Sequence, residues 1–349
     1  MKITYYLFLA AFSIYLSPLS AQQTPHTLLW RISGKDGHRP SYLYGTMHLM
    51  DERLFNLGDS LYEAIGRTDG FAMEVDPNDM MPFLLDEIRE EMANSKDLHE
   101  LLQGQDYGKY APLLAKKFKK PADKITSNDI LREKNKWIRE SFRKGKMETF
   151  LDVYLFDIAR RQNKWTGGIE DMGDQKGMIN DAVDQSDIRE LLAADSSTNN
   201  SQLEQMISVY LRQDLDGIDS ITRPGTDRID PIMRRRNIKM AMRMDSLSGE
   251  RSMVFAVGAA HLPGKEGLIS LLRGKGFNVQ PVFSDKKIRA ADYKVRPMPV
   301  LWNTVKDEYG RYETSMPGKP SNIQLYGILN MKIYFDFFNM IGDLAATVK

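Results

Sequence analysis

Between Thr27 and Met50 two short apolar runs, TLLWRI and SYLYGTMHLM, flank the polar, turn-forming GKDGHRP, a pattern that predicts a β-hairpin followed by a loop beginning at Gly45. An amphipathic stretch, DSLYEAIGRTD, follows. In GFAMEVD, alternation sets Phe71, Met73 and Val75 on one side and Ala72, Glu74 and Asp76 on the other, predicting a strand that ends in two carboxylates. From Met80 to about Asn163 the spacing is helical, with breaks expected at Pro112 and Pro121. The last of these helices, TFLDVYLFDIARRQ, is apolar enough to be largely buried. Trp165 to Ile169 reads as a short strand with Glu170 just beyond it, and Gln175 to Ser246 as helical again, broken at DSSTNNS. The clearest unit is RSMVFAVGAAHLPGKEGLISLLRGKGFNVQPVF. Its apolar run Met253–Val257 leads to a small-residue loop, then a helix carrying Leu268, Ile269, Leu271 and Leu272, a glycine stop and another strand. Strands alternating with helices imply an α/β layered fold, a central mixed sheet flanked by helices.

Both ends differ from this pattern. Lys2, the apolar run Tyr5–Leu16, Pro18 and the small residues Ser20 and Ala21 have the layout of a signal peptide over residues 1–21, too short in its apolar part to span a bilayer. Export to the periplasm, the outer surface or the medium is therefore expected, an uncut N-terminal anchor being the other reading. Residues 22–287 form the expected main α/β domain and residues 288–349 a C-terminal extension for packing or interaction. In that extension IQLYGILNMKIYFDFFNMIG is interrupted by Lys332 and Asp336, so it reads as an amphipathic or packing segment and not a membrane-spanning helix.

With 349 residues, 42% of them hydrophobic, the chain can bury one large core or two modest ones. Its net charge of +1 lacks the basic footprint of a nucleic-acid binder, and no nucleic-acid partner is expected. There is no cysteine, which excludes disulfides and thiolate chemistry. Any metal must be held by imidazole, carboxylate, amide, carbonyl or water, which suits manganese, cobalt, zinc or iron.

Only five histidines are present, and two share a context. His48 and His261 each follow an apolar strand through a glycine and two small or compact residues, Gly45-Thr46-Met47 and Gly258-Ala259-Ala260. Ligands in α/β sheets bind beyond the carboxyl ends of strands, so both imidazoles are placed to face one crevice. A lone GxxH histidine is more often structural; the repetition distinguishes this pair. With Glu74 and Asp76 at another strand exit, the set becomes His/His/carboxylate, the ligand types of many hydrolytic metal sites. No HExxH helix motif occurs.

TLLWRI with SYLYGTMHL, FAMEVD, KWTGGIEDMGDQ, the RRRN run at Arg234–Asn237 and VFAVGAAHLPGKEGLISLLRGKGFNV together resemble the TraB/PrgY/GumN family, which includes the TIKI proteins. The resemblance spans roughly Thr27 to Phe283. It implies a fold related to the erythromycin-esterase and ChaN group. It also implies an activity like that of the TIKI branch, metal-dependent proteases acting on extracellular protein N-termini; the PrgY branch is linked to peptide-pheromone control. His48 and His261 match the family's motif histidines and Glu74 its following glutamate. Glu170 and Gln175 resemble its glycine–hydrophobic–glutamate…glutamine segment, and Arg236 with Asn237 its Arg-Asn pair. Ile169 stands where leucine is expected, and the C-terminal extension has no counterpart in the core family.

The expected function is an exported hydrolase, a peptidase acting on a peptide or protein. One manganese, cobalt or zinc ion would be held by His48, His261, Glu74, Asp76 or Glu170. Glu74 is the preferred general base, and Arg236 an oxyanion stabiliser, a substrate-carboxylate partner or a structural salt bridge. A second reading is a non-catalytic protein that captures a peptide or metal-containing ligand, for which 20 Met, 15 Tyr and 15 Phe would supply an adaptable apolar pocket, though they suit a Met-rich core equally. A metal-free esterase is a third; no GxSxG elbow supports it.

Overall fold

The structure, a computed structural model, describes residues 25–34, 39–77, 95–102, 104–133, 147, 149–171, 185–193, 196–223, 230–295, 302–308, 310–316, 320–325, 329–336 and 341–348. The expected signal segment, the start of the helical stretch at Met80, and Gln175 lie outside the described residues.

Strands β1 (Leu29–Ser33) and β2 (Ser41–Thr46) form the expected hairpin, with Leu29 opposite Tyr44. The short β3 (Asn56–Gly58) leads into helix α1 (Asp59–Arg67) and then β4 (Gly70–Met73). Helices α2 (Leu98–Leu101), α3 (Gln105–Phe118) and α4 (Leu151–Arg161) precede β5 (Trp165–Gly168). Helices α5 (Gln185–Ala193), α6 (Ser196–Leu211), α7 (Leu215–Thr222) and α8 (Pro231–Glu250) follow. The clearest sequence unit appears as β6 (Met253–Gly258), α9 (Leu268–Gly274) and β7 (Asn278–Val282).

Six of these strands form one mixed sheet, ordered β5-β4-β6-β2-β1-β7. Strands β5, β4, β6 and β2 run parallel, whereas β1 is antiparallel to both β2 and β7. Helices α1 and α4 pack on β6, β4 and β5, while α8 and α9 cover β6 and β7. The main core joins Trp30, Leu43, Phe71, Phe156 and Phe255, all at most 2% exposed. Each such side chain contributes roughly 2 kcal/mol by leaving water. A smaller core lies among α2, α3 and α5 around Leu98, Leu114 and Ile188.

Three local expectations change. The strand expected to end in two carboxylates stops at Met73, before both of them, and every residue of β4 is buried. A central parallel strand is covered on both faces, so its one-sided pattern carries little meaning. Pro112 does not break α3. The carbonyl that loses its donor belongs to Gly108, an exposed residue, so water can take the place of the missing N–H. In DSSTNNS, Ser196–Ser201 are helical and open α6, which continues to the buried Ile207, Val209 and Tyr210, while Asp195, between the ends of α5 and α6, lies outside the described residues. Propensity differences of a few tenths of a kcal/mol per residue yield to such anchoring.

Past the main sheet, β8 (Lys287–Arg289) pairs with β3, and Tyr293 stacks on Tyr62 with ring centroids 3.8 Å apart. A hairpin of β9 (Asn303–Asp307) and β10 (Tyr312–Met316) precedes an antiparallel sheet of β11 (Ser321–Leu325), β12 (Leu329–Asp336) and β13 (Ile341–Val348). The described residues of the apolar C-terminal stretch, 323–325, 329–336 and 341–342, thus lie in strands. No helix among the described residues is long and apolar enough to cross a membrane.

Candidate active site

The four parallel strands end along one side of the sheet, and each exit carries a candidate residue: His48 after β2, His261 after β6, Glu74 after β4 and Glu170 after β5. Register aligns these exits, pairing Thr46 with Gly258 and Met73 with Ala256. Beyond the ladder, the Glu170 N–H donates to the Glu74 carbonyl at 2.7 Å, tying the two acidic residues together through the main chain.

The two motif glycines act differently. A Cβ on Gly45 would stand 3.1 Å from the Ala259 Cβ and 3.2 Å from the Leu262 Cδ2, so Gly45 lets the second motif's turn settle onto β2. A Cβ on Gly258 would instead stand 3.2 Å from Glu74 Oε1, 3.5 Å from His48 Nε2 and 3.6 Å from His261 Cδ2. Gly258 leaves room where the polar groups meet.

Both rings turn Nε2 toward the same oxygen: His48 Nε2 and His261 Nε2 are each 3.6 Å from Glu74 Oε1. Their other nitrogens are anchored, His48 Nδ1 by Asp152 Oδ2 at 2.9 Å and His261 Nδ1 by Asn237 Oδ1 at 2.5 Å. Asn237 fixes a tautomer. Its Nδ2 donates to the Glu266 carbonyl at 2.8 Å, so Oδ1 must be the atom facing His261, where it accepts the Nδ1–H. A neutral His261 therefore directs the Nε2 lone pair at a carboxylate oxygen, a repulsive approach unless positive charge lies between them.

Helix α8 supplies the remaining charge. Asp230 caps it, accepting from the Ile232 N–H at 2.7 Å, with Pro231 as its first residue. Arg236 and Asn237 share its buried face with Met240, Ala241 and Met244. Arg236 grips Glu170 through Nε at 2.8 Å and Nη2 at 2.7 Å, and Nη2 also reaches Glu74 Oε2 at 2.9 Å. Glu74 Oε1 accepts the Gly258 N–H at 2.6 Å.

Burial by itself drives the Glu74 pKa up, but the His48 and His261 imidazoles and the Gly258 N–H outweigh it and hold the carboxyl well below its usual range. Glu74 is thus a weak proton acceptor and a firm anionic anchor. Burial opposes charge on His48 too, yet the facing Asp152 and then Glu74 raise its pKa well above the ordinary value. For His261 burial prevails, assisted by the Arg236 cation and His48 against the pull of Glu74 and Glu170, and its pKa is lowered. One ring is proton-accepting and the other proton-refusing, around one carboxylate.

His48, His261, Glu74, Glu170 and Arg236 are thus brought together. Arg236 is the buried ion-pair partner of both glutamates, and both Glu170 oxygens are engaged by it. Asp76 lies two residues beyond Glu74, half-buried, where its backbone nitrogen would be 2.6 Å from a Cβ on Gly168. Asp152 was absent from the sequence-derived set; the available signal was an aspartate inside the most apolar helix, a residue that stays buried only when paired. Asn237 as an anchor for His261 was likewise not foreseen.

Among the described residues no three His, Asp or Glu side chains form a ready-made metal cage. The donor chemistry nevertheless fits one ion: two anchored imidazoles and a carboxylate oxygen converge, and two 3.6 Å separations compare with about 3.4 Å between tetrahedral ligands at about 2.1 Å. Around this point lie the carboxyl groups of Glu74, Glu170 and Asp152, with Arg236 paired to the first two and His48 to the third.

Beside His48 and Gly258 opens a cavity of about 290 Å³, walled by Met47, Leu203, Met206, Val209, Ile218 and Ile221. Comparison with curated proteins and with solved structures gives no match. The paired strand-exit histidines, the glutamate after β4 and the Arg-Asn pair on α8 all lie within residues 28–281, which match the model of the TraB/PrgY/gumN family, and the chain belongs to that family.

Proposed function

We propose that this chain is an exported, metal-dependent hydrolase acting on peptide bonds, with His48, His261 and Glu74 holding one divalent ion. The observation that carries this reading is the approach of two anchored imidazole Nε2 atoms to a single carboxylate oxygen, the donor types of a hydrolytic metal site. Manganese, cobalt or zinc bound there would lower the pKa of water and polarise a carbonyl. Asp152 and Asn237 aim the two rings. Arg236 pairs with Glu74, and Glu170 holds Arg236 in place. Export rests on the N-terminal pattern, and the relation to the erythromycin-esterase and ChaN group belongs to the same proposal.

The test is cleavage of a mixed peptide library by purified protein with manganese, cobalt or zinc. Cleavage should stop in chelator and in folded His48→Ala or His261→Ala. Activity that persists in chelator would instead favour a metal-free relay in which Asp152 backs His48, a second reading supported by their 2.9 Å contact.

A further inference from the structure

The apolar cavity beside the histidines has no part in holding charge, and its position gives it another use. Its wall includes His48 and Gly258, so a group filling it lies against the point where Glu74 and the two imidazoles meet. Most of the rest of the wall is apolar, from the chain after β2, from α6 and α7, and from Ala259 and Ala260 after β6. About 290 Å³ is at the lower end of small-ligand pockets, enough for one large side chain but not for a folded segment.

We infer that this cavity is the specificity pocket of the enzyme and takes a large apolar side chain, of the size of leucine, methionine or phenylalanine, from the residue flanking the scissile bond. The inference rests on the proposed peptidase activity for its position, but not for its occupancy. An apolar pocket separates side chains by the methylenes they bury, so exchanging leucine for alanine at the flanking position should lower kcat/KM roughly 10- to 200-fold, and aspartate or lysine should do worse. Met206, 37% exposed, and Ile221 on α7 form the parts of the wall open to change without disturbing the charged cluster.

The experiment uses the full mature chain with manganese and peptides differing only at the flanking residue, in wild type, Ile221→Trp and Met206→Trp. In parallel, binding is followed by NMR of 13C-methyl methionine, the Met206 signal being identified by its loss in Met206→Leu. Cleavage beside large apolar residues, shifted toward alanine or glycine in the filled variants, supports the assignment. Cleavage indifferent to the flanking residue, or unchanged by filling the cavity, overturns it while leaving the hydrolase reading intact. If nothing is cleaved, a Met206 shift with the leucine peptide and none with the aspartate peptide upholds the pocket and defeats the peptidase reading. No shift with either peptide overturns the pocket.

Discussion

Gly258→Ala separates the site from the fold with one methyl group. The backbone at Gly258 has φ −52 and ψ 132, a conformation open to any L-residue, so alanine brings no backbone strain. Restricting the unfolded chain favours alanine by about 0.4–1 kcal/mol, and the 3.2 Å approach to Glu74 Oε1 offsets some of this, so stability should change by no more than about 1 kcal/mol. The new methyl would nevertheless sit 3.2 Å from Glu74 Oε1 and 3.5 Å from His48 Nε2, inside the space a shared cation needs. A displacement of reacting groups by about 1 Å can cost 100-fold, so turnover should fall at least roughly 100-fold and metal affinity should fall with it. Gly45→Ala is the contrasting control. Its methyl would press on Ala259 and Leu262 at 3.1–3.2 Å, overpacking that costs about 1–3 kcal/mol of stability. Thermal unfolding, metal titration and peptide cleavage on the two variants give the comparison. A Gly258→Ala protein with wild-type metal affinity and turnover would refute the placement of the site.

Other substitutions probe the groups around it. Arg236→Leu strands Glu74 and Glu170, both at most 9% exposed, and should cost about 3–5 kcal/mol in urea unfolding; a loss below about 1 kcal/mol contradicts the buried ion-pair account. In chelated protein Asp152→Asn should bring the His48 pKa down in an NMR titration, and an unmoved pKa argues against Asp152 as its main charge partner. Because the folded His48 pKa is raised, its contribution to stability is complete below the unfolded value near 6.5 and is lost as pH rises through the folded value. Asp152→Asn should flatten that part of the profile. Far from the site, Asp129 Oδ2 accepts from the Thr126 N–H at 2.9 Å and Lys120 Nζ at 2.7 Å; burial raises its pKa, but these contacts bring it below the usual range. Its stabilisation is present above the unfolded value near 3.9 and fades as pH falls through the folded one, and Asp129→Asn should cost about 1 kcal/mol at neutral pH without altering metal binding.

Much of this architecture was legible where local signals agreed with the tertiary outcome. The hairpin at β1 and β2 has a turn-rich break between apolar runs, and β6 with α9 changes from an apolar run to helical spacing across a small-residue loop. Repetition of glycine, two small or compact residues and histidine after two strands was enough to anticipate His48 and His261 meeting near Glu74. The supporting groups were harder to see. Asp152 lies on a helix whose apolar composition correctly signalled burial but not which polar residue the burial would enclose. Asn237 and Arg236 are set by the face of α8, a helix whose charges are spread around its circumference, so periodicity alone gave no direction. In the C-terminal region, Leu329, Met331, Ile333 and Phe335 alternate with Asn330, Lys332, Tyr334 and Asp336, the period of a strand, obscured by aromatics in both sets.

The account depends on one ion shared by His48, His261 and Glu74, and metal stoichiometry tests it most directly. Purified apoprotein titrated with cobalt, with the visible spectrum recorded alongside bound metal, should take up about one equivalent, and folded His48→Ala and His261→Ala should each lose it. Wild-type uptake in both variants, or no uptake by the wild type, would contradict the account.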